Sequence, residues 1–212
     1  MSHDDFKTEP VPGLPERPPE GERILWQGRP DWWRLSWEAL SLPWVIGYFA
    51  FLTLWRFAAV YDLMPLPQAI GASVPFVILG GIVIALLTIV GWVQARATLY
   101  TVTNRRVAMR IGAALTVTLN LPYTQIANAT LSRRRGGTGT IAFDTMGETR
   151  LSYLVCWPHV RPWRFNPTQP ALRCIPDAER VARLIAEAAE ARVSVPRVER
   201  RAPHAAAPLA AE

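Results

Sequence analysis

The stretch AIGASVPFVILGGIVIALLTIVGWV, residues 69–93, contains no charged side chain. A helix of about 20 residues crosses a hydrocarbon core of roughly 30 Å, so this stretch is long enough to span a membrane. Residues 39–61, ALSLPWVIGYFAFLTLWRFAAVY, form a second such stretch whose single charge is Arg56. A pair of buried core helices is the alternative, but a run of 25 uncharged residues is rare in a soluble domain of this size. We therefore expect a transmembrane hairpin of two helices that is retained as an anchor.

Arginine and tryptophan flank the two segments and predict their orientation. The link DLMPLPQ has no Lys or Arg, whereas arginines precede the first segment and follow the second: Arg23, Arg29, Arg34, Arg96, Arg105, Arg106 and Arg110. The positive-inside rule then places both termini in the cytoplasm. Indole rings prefer the headgroup level, and they crowd the same side: Trp26, Trp32, Trp33, Trp37, Trp44 and Trp92. Arg56, near the outer end, either snorkels to the headgroups or contacts a partner helix.

Charge and proline content divide the rest of the chain. Residues 1–22 hold six acids, two bases and five prolines, and we expect them and the tail 193–212 to be disordered. Residues 23–96 contain the Trp-rich segment and the hairpin, which leaves residues 97–192 for one cytoplasmic domain. From residue 96 onward 17 arginines stand against 8 acids, a balance that attracts either an anionic membrane or acidic proteins.

Residues 97–192 have the pattern of an antiparallel β-domain closed by one helix. Alternating, β-branched runs predict these strands: TLYTVT (98–103), RVAMRIG (106–112), LTVTLNL (115–121), IANATLS (126–132), TIAFDTM (140–146) and TRLSYLVC (149–156). Pro176 and Asp177 signal the start of a helix with one apolar stripe. The chain as a whole is thus predicted to be an α+β membrane protein, with a small β-barrel or sandwich capped by an amphipathic helix.

The stretch LSRRRGGTGTIAFDT, residues 131–145, raises the question of a phosphate-binding loop. A Walker loop needs GxxxxGK[ST] between a strand and a helix, whereas this stretch lacks the Lys and is followed by a strand. We interpret it as a hairpin turn, since glycine tolerates positive φ. Arg133, Arg134 and Arg135 at its tip are candidates to contact lipid phosphates or an acidic partner. Nucleic acid is not expected, because no aromatic residues interleave with the arginines.

Catalytic and metal-binding patterns find little support. The three histidines are His3, His159 and His204, and none has a second His at metal spacing or a partner for nucleophilic catalysis. We expect His159 to be a hydrogen-bonded structural residue, and Cys156 and Cys174 to be packing residues. Neither membrane segment contains a His, which disfavours a bound pigment. No enzyme activity, cofactor or metal is expected.

The segment WPHVRPWRFNPTQPALRCIP, residues 157–176, combines aromatic residues with arginine. Its five prolines are expected to exclude regular structure. Two readings of the segment stay open. It either packs over its own domain or exposes a surface of hot-spot composition for a partner. The residues of that surface would be Arg161, Trp163, Arg164 and Phe165, together with Trp157 and Arg173.

One further pattern joins Tyr100-x-x-Thr103-x-x-Arg106, the following RIG, and LPYTQIANATLSRRRGGTGTIAFDT. With this pattern, about residues 95–190 resemble the bacterial pleckstrin-homology-like (PH-like) domain. This resemblance implies a barrel built from sheets and capped by the helix at 177–191.

A second resemblance rests on the two-span hairpin and on three stretches: ERILWQGRPDWW (22–33), LYTVTNRRVAMRIGAAL (99–115) and RPWRFNPTQPALRCIPDAERVARLIAEA (161–188). These parts cover most of the chain outside its tails, and they are similar to the photosynthetic complex assembly proteins of purple bacteria. Members are encoded beside the reaction-centre H subunit and assist assembly of the reaction centre and its core antenna. The resemblance implies an inner or intracytoplasmic photosynthetic membrane, with reaction-centre and core-antenna subunits as partners, and it transfers no catalytic residue. A lipid-binding surface sensor and a membrane enzyme using His159 are the rival readings, and a homodimer stays open.

Overall fold

A computed structural model of the chain describes residues 9–113, 116–134, 136–146 and 151–194. Arg135 of the predicted arginine tip and the predicted disordered tail from residue 195 therefore lie outside the described residues. The helices and strands follow in this order: β1 (Ile24–Gly28), α1 (Trp32–Ala39), α2 (Leu42–Val60), α3 (Leu66–Ala97), β2 (Leu99–Thr103), β3 (Arg106–Ile111), β4 (Val117–Pro122), β5 (Ile126–Arg133), β6 (Thr138–Thr145), α4 (Tyr153–Cys156), β7 (Val160–Phe165), β8 (Thr168–Pro176) and α5 (Ala178–Val193).

The helices α2 and α3 pack as a hairpin, and both are long and apolar enough to cross a membrane. At a rise of 1.5 Å per residue, the 32 residues of α3 reach about 48 Å, well beyond a hydrocarbon core. Its last turn, Gln94–Ala97, leads directly into β2. Gly80 lets the helices approach closely, since a Cβ there would lie 2.8 Å from the Cβ of Phe49. Arg56 is exposed on α2, about one turn before the helix ends.

Two antiparallel sheets and α5 enclose one core. The strand orders are β1-β2-β3-β4 and β5-β6-β8-β7. Buried apolar residues of both sheets meet the apolar stripe of α5 in a single cluster that includes Tyr100, Met109, Phe143, Leu172, Ile175, Val181 and Ile185. The predicted fold class, two apolar helices followed by antiparallel sheets and a C-terminal amphipathic helix, is confirmed.

The first sheet contains a strand that lies before the two long helices in sequence. β1 pairs antiparallel with β2, with Gly28 opposite Tyr100 and Ile24 opposite Thr103. The predicted limits of the β-domain, 97–192, leave this strand out. Its sequence, ILWQG, is short and contains a tryptophan that we assigned to the membrane interface, so its pairing with a strand about 70 residues later was not foreseen.

Residues 9–22 lie against the first sheet, contrary to the prediction of a disordered lead. Leu14 is buried, and Glu9 Oε1 lies 2.7 Å from Arg110 Nε on β3. Glu22 Oε1 lies 2.9 Å from Arg106 Nε on the same strand. Composition alone suggested disorder, because acids and prolines are frequent in disordered segments. It does not show that the carboxylates of Glu9 and Glu22 form ion pairs with arginines of β3.

The structure corrects two further predictions in the C-terminal half. The described part of TRLSYLVC forms the short helix α4 instead of a strand, since a continuous apolar run does not distinguish the two. Residues 157–176 form β7 and β8 despite five prolines. Four of those prolines lie outside the regular interior of the strands: before β7, in its irregular middle, in the β7–β8 turn and at the end of β8. At all four positions a missing backbone N–H costs little. Pro170 alone lies inside β8.

Candidate functional site

The strand β8 crosses the end of α3 and joins the β-domain to the helices. The carbonyl of Cys174 accepts a hydrogen bond of 2.8 Å from the backbone N–H of Asp31, the residue that caps α1. Cys174 also packs with Leu35 of α1 and Ala95 of α3 in a small buried cluster. Three residues earlier on β8, the N–H of Ala171 donates to the carbonyl of His159. Residues 171–174 are thus held beside the last turn of α3.

A buried polar network, here called the junction network, lies where α3 becomes β2. The Thr98 hydroxyl donates to the carbonyl of Gln94 at 2.8 Å and lies 3.0 Å from His159 Nε2. The Tyr100 hydroxyl lies 2.6 Å from His159 Nδ1 and accepts the backbone N–H of Arg173 at 3.3 Å. Because the Thr98 hydroxyl has already donated, we assign the proton of His159 to Nε2, and Nδ1 accepts from Tyr100.

Burial keeps the two ring side chains of the junction network, His159 and Tyr100, uncharged. Loss of solvent, with a smaller effect from the charge of Arg173, lowers the pKa of His159 to about 3. Loss of solvent also raises the pKa of the Tyr100 hydroxyl far above its usual range. His159 is therefore a satisfied structural residue, as predicted, and its neutral ring is held by two hydrogen bonds instead of facing a cleft.

Arg173 carries its charge into the same buried region. Its side chain is almost fully buried, and Nη1 donates a long hydrogen bond of 3.4 Å to the carbonyl of Pro158. The neighbouring Cys174 thiol has its pKa raised to about 12, first by burial and then by the carboxylate of Glu38. Cys156 is likewise free and buried, so both cysteines are packing residues. Among the described residues no three His, Cys, Asp or Glu side chains form a metal-binding group.

The arginine tip is a hairpin turn between β5 and β6. Gly136 and Gly137 have φ of 93° and 78°, which is the conformation predicted for the glycines of this turn. Arg133 Nη1 lies 2.5 Å from Glu179 Oε1 at the start of α5, and Arg134 Nε lies 3.4 Å from Glu38 Oε2 on α1. Both arginine side chains are still largely exposed, at 73% and 57%. The arginine tip therefore contacts α1 and α5 through these ion pairs, and both guanidinium groups remain accessible to solvent.

Exposed apolar side chains gather on α4 and β7, in a surface here called the α4–β7 patch. Its members are Leu154, Val155, Trp157, Trp163 and Phe165. Leu154 is 85% and Trp163 87% exposed. Trp163 has a positive φ of 61° where the pairing of β7 with β8 is irregular, and this conformation turns its side chain outward. The ring of Phe165 lies 4.6 Å from that of Tyr153, which ties β7 to α4.

The structure separates the residues that the sequence grouped in 157–176. Trp163, Arg164 and Phe165 are exposed, as the partner-surface reading requires, whereas Arg173 is buried under the junction. Arg161 donates from Nη1 to Gln169 Oε1 of β8 at 3.1 Å. Part of the segment therefore packs on its own domain and part of it is exposed, and a partner for the exposed part stays a prediction.

The two predicted contact surfaces lie at opposite ends of β8. Thr138, beside the arginine tip, pairs with Pro176, and Phe165 of the α4–β7 patch pairs with Thr168. Eight residues of strand separate these positions, about 26 Å at 3.3 Å per residue. The predicted site residues therefore form two separate surfaces.

A groove between α2 and α3 is a further surface. It encloses about 420 Å³ and is lined by apolar and small residues: Ile46, Phe49, Ala50, Thr53, Leu54, Val77, Gly80, Gly81 and Ile84. A Cβ at Gly81 would meet no atom within 4 Å, so this glycine is open to a neighbour. In the sequence, the adjacent glycines Gly80 and Gly81 indicate a place where side chains are small. They do not indicate which of the two glycines faces outward.

The chain is similar to a protein family and to a relative of about the same length. The sequence profile of the family described as bacterial PH domain matches residues 40–189. A Rhodobacter capsulatus protein that carries the name uncharacterized 23.7 kDa protein in puhA 5′ region is 46% identical over 215 residues, which cover 99% of each chain. No solved structure gives a significant match.

Proposed function

Since the chain belongs to the bacterial PH domain family, we propose that its β-domain is a binding module and that the chain is an assembly factor for the photosynthetic reaction centre and core light-harvesting complex. The proposal includes anchoring of α2 and α3 in the inner or intracytoplasmic membrane, with both termini in the cytoplasm. It also includes the absence of catalysis, which agrees with the buried, neutral state of His159.

The observation that carries the proposal is the relative named for the puhA 5′ region, which is similar over the full length. This agrees with the resemblance to photosynthetic complex assembly proteins, whose members are encoded beside the reaction-centre H subunit. Because the similarity includes both long helices and the β-domain, the whole arrangement is shared.

The groove between α2 and α3 supports a role in holding a client helix. In lipid, helices associate by close packing and side-chain hydrogen bonds, and small residues permit that packing. Gly81 is open, and Thr53 lines the groove with a hydroxyl that already donates to Phe49 within α2. We propose that an apolar helix of a reaction-centre or core-antenna subunit lies in this groove.

The experiment is affinity purification of the tagged full chain from gently solubilised photosynthetic membranes, with mass spectrometry of the bound proteins. Gly81→Leu, which fills the groove, is compared with Gly71→Leu, an exposed glycine of α3 outside it. We expect reaction-centre or core-antenna subunits to be enriched with the unaltered chain and with Gly71→Leu, and to be lost with Gly81→Leu.

Two other outcomes would change the proposal. Recovery of lipid without any photosynthetic subunit would favour a membrane-surface sensor that binds anionic lipid. Equal recovery with both leucine variants would keep the assembly role but move the client away from the groove.

A further inference from the structure

The α4–β7 patch contains most of the exposed large apolar side chains of the β-domain. Of those that the structure describes after α3, all but Met146 belong to the patch. The two parts of the patch lie side by side, because α4 contributes Leu154 and Val155, and a tilted ring contact between Phe165 and Tyr153 joins β7 to α4. Large exposed apolar side chains that gather in one surface are typical of a contact with a partner or a membrane.

The junction network fixes the patch close to the level of the membrane surface. The uncharged run of α3 ends at Val93, and the five residues to Thr98 rise about 7.5 Å. This distance equals about one headgroup layer. His159 lies 3.0 Å from the Thr98 hydroxyl and is only two residues after Trp157. When α3 spans a membrane, the patch therefore lies at the level of the headgroups, next to the outer acyl region.

The charge of this part of the chain matches an anionic membrane. Residues 151–168 contain Arg161 and Arg164 but no Asp or Glu. Tryptophan and phenylalanine beside arginine are typical of segments that lie at the headgroup level. Arginine side chains near an anionic leaflet are attracted to its lipid headgroups.

A second aromatic surface lies on α1, which packs against α3. Trp32, Trp33 and Trp37 of α1 are partly exposed, and α1 is fastened to Cys174 of β8. The α4–β7 patch lies at the Thr168 end of the same strand. One aromatic surface is thus fastened near Cys174 of β8 and the other near Thr168 of the same strand.

We propose that the α4–β7 patch inserts Leu154, Val155 and Trp163 into the headgroup and outer acyl region of an anionic leaflet, with Arg161 and Arg164 on lipid phosphates. The β-domain then rests on the membrane beside α3 and does not stand away from it. This inference rests on the membrane anchoring in the proposed function, but it does not depend on the identity of the client.

The test uses nitroxide labels on the full chain, in nanodiscs of phosphatidylcholine and phosphatidylglycerol that hold one chain each. Leu154→Cys labels the patch, Leu79→Cys labels the exposed side of α3, and Thr124→Cys labels an exposed site beside the β2–β3 turn, at the end of β2 remote from Thr98. The native cysteines are buried, so the unsubstituted chain gives the labelling background. The measurement is the ratio of accessibility to oxygen and to a water-soluble nickel chelate.

We expect the ratio at position 154 to be several-fold higher than at 124 and closer to that at 79. A ratio at 154 equal to that at 124, with a high ratio at 79, would overturn the proposal and leave the patch for a protein partner or a second copy. A low ratio at 79 would instead refute the anchoring by α3. In nanodiscs of phosphatidylcholine alone the ratio at 154 should fall, and an unchanged ratio would overturn the role of the two arginines.

Discussion

His159 and Trp163 are four residues apart, and the fold places them in opposite environments. His159 is fully buried and bonded to Thr98 and Tyr100, whereas Trp163 is exposed on an irregular strand. The segment that fastens the β-domain to α3 therefore also carries its most exposed aromatic residue. The contacts of the β-domain with α3 and its exposed aromatic surface are therefore separate parts of one segment, and substitutions should be able to alter them independently.

The largest effect is expected from His159→Leu. This change leaves the Tyr100 hydroxyl without its acceptor and the Thr98 hydroxyl without a donor in a site closed to water. Unpaired buried groups cost about 1–3 kcal/mol each, so the free energy of unfolding should fall by about 3 kcal/mol. Thermal or denaturant unfolding of the full chain in detergent measures it.

The control for that comparison is Trp163→Leu, which should change stability by less than about 0.5 kcal/mol because the side chain is exposed. Equal destabilisation by both substitutions would contradict the separation of fastening and surface.

The second effect is a loss of stability at acid pH. The pKa of His159 is lowered to about 3 in the fold, so the unfolded chain, with a pKa near 6.5, takes up the proton first. The stabilisation by neutral His159 is fully present above about pH 6.5 and is lost as the pH falls toward 3. By pH 4.5 the free energy of unfolding should have fallen by about 2–3 kcal/mol. His159→Gln should remove this part of the pH dependence, and parallel curves for the two proteins would exclude it.

The third effect concerns the approach of α1 to α3. A Cβ at Gly91 would run into the side chain of Ser36 on α1, whereas one at Gly81 would meet nothing. Gly91→Ala should destabilise the chain by about 2 kcal/mol through overpacking. Gly81→Ala should be neutral or slightly stabilising, since alanine favours a helix. The melting temperatures of the two variants measure the difference. Equal melting temperatures would show that α1 shifts to make room for the added Cβ at position 91.

The smallest effect is expected at the arginine tip. Arg134→Ala removes the pair with Glu38, but the guanidinium is more than half exposed, and such pairs contribute about 0–1 kcal/mol. The melting temperature should change by a degree or two and the change should shrink in high salt. A large loss would show that the tip fastens the domain as firmly as the junction network does.

Much of the fold could be predicted because its signals are local. Uncharged length gave the two helices, alternation gave the strands from 98 to 146, and an apolar stripe gave α5. The contacts over long sequence distances could not be predicted in this way. The pairing of β1 with β2 and of Glu9 with Arg110 depends on residues that are far apart in sequence and ordinary in composition.

The candidate surfaces were predicted in part. The sequence indicated exposed aromatic residues and arginines in 157–176, and Trp163 and Phe165 are exposed. It did not indicate Leu154 and Val155, because they were assigned to a strand. It could indicate that His159 is structural, since no catalytic partner lies near it in sequence, but not that Thr98 and Tyr100 are its partners, because three-dimensional proximity decides that.

The pairing of β1 with β2 has a consequence for the order in which the protein is made. β1 is synthesised before α2 and β2 after α3, with about 70 residues between Gly28 and Tyr100. The first sheet therefore cannot close until both long helices have been synthesised. In the membrane arrangement proposed above, closure of that sheet follows insertion of the hairpin.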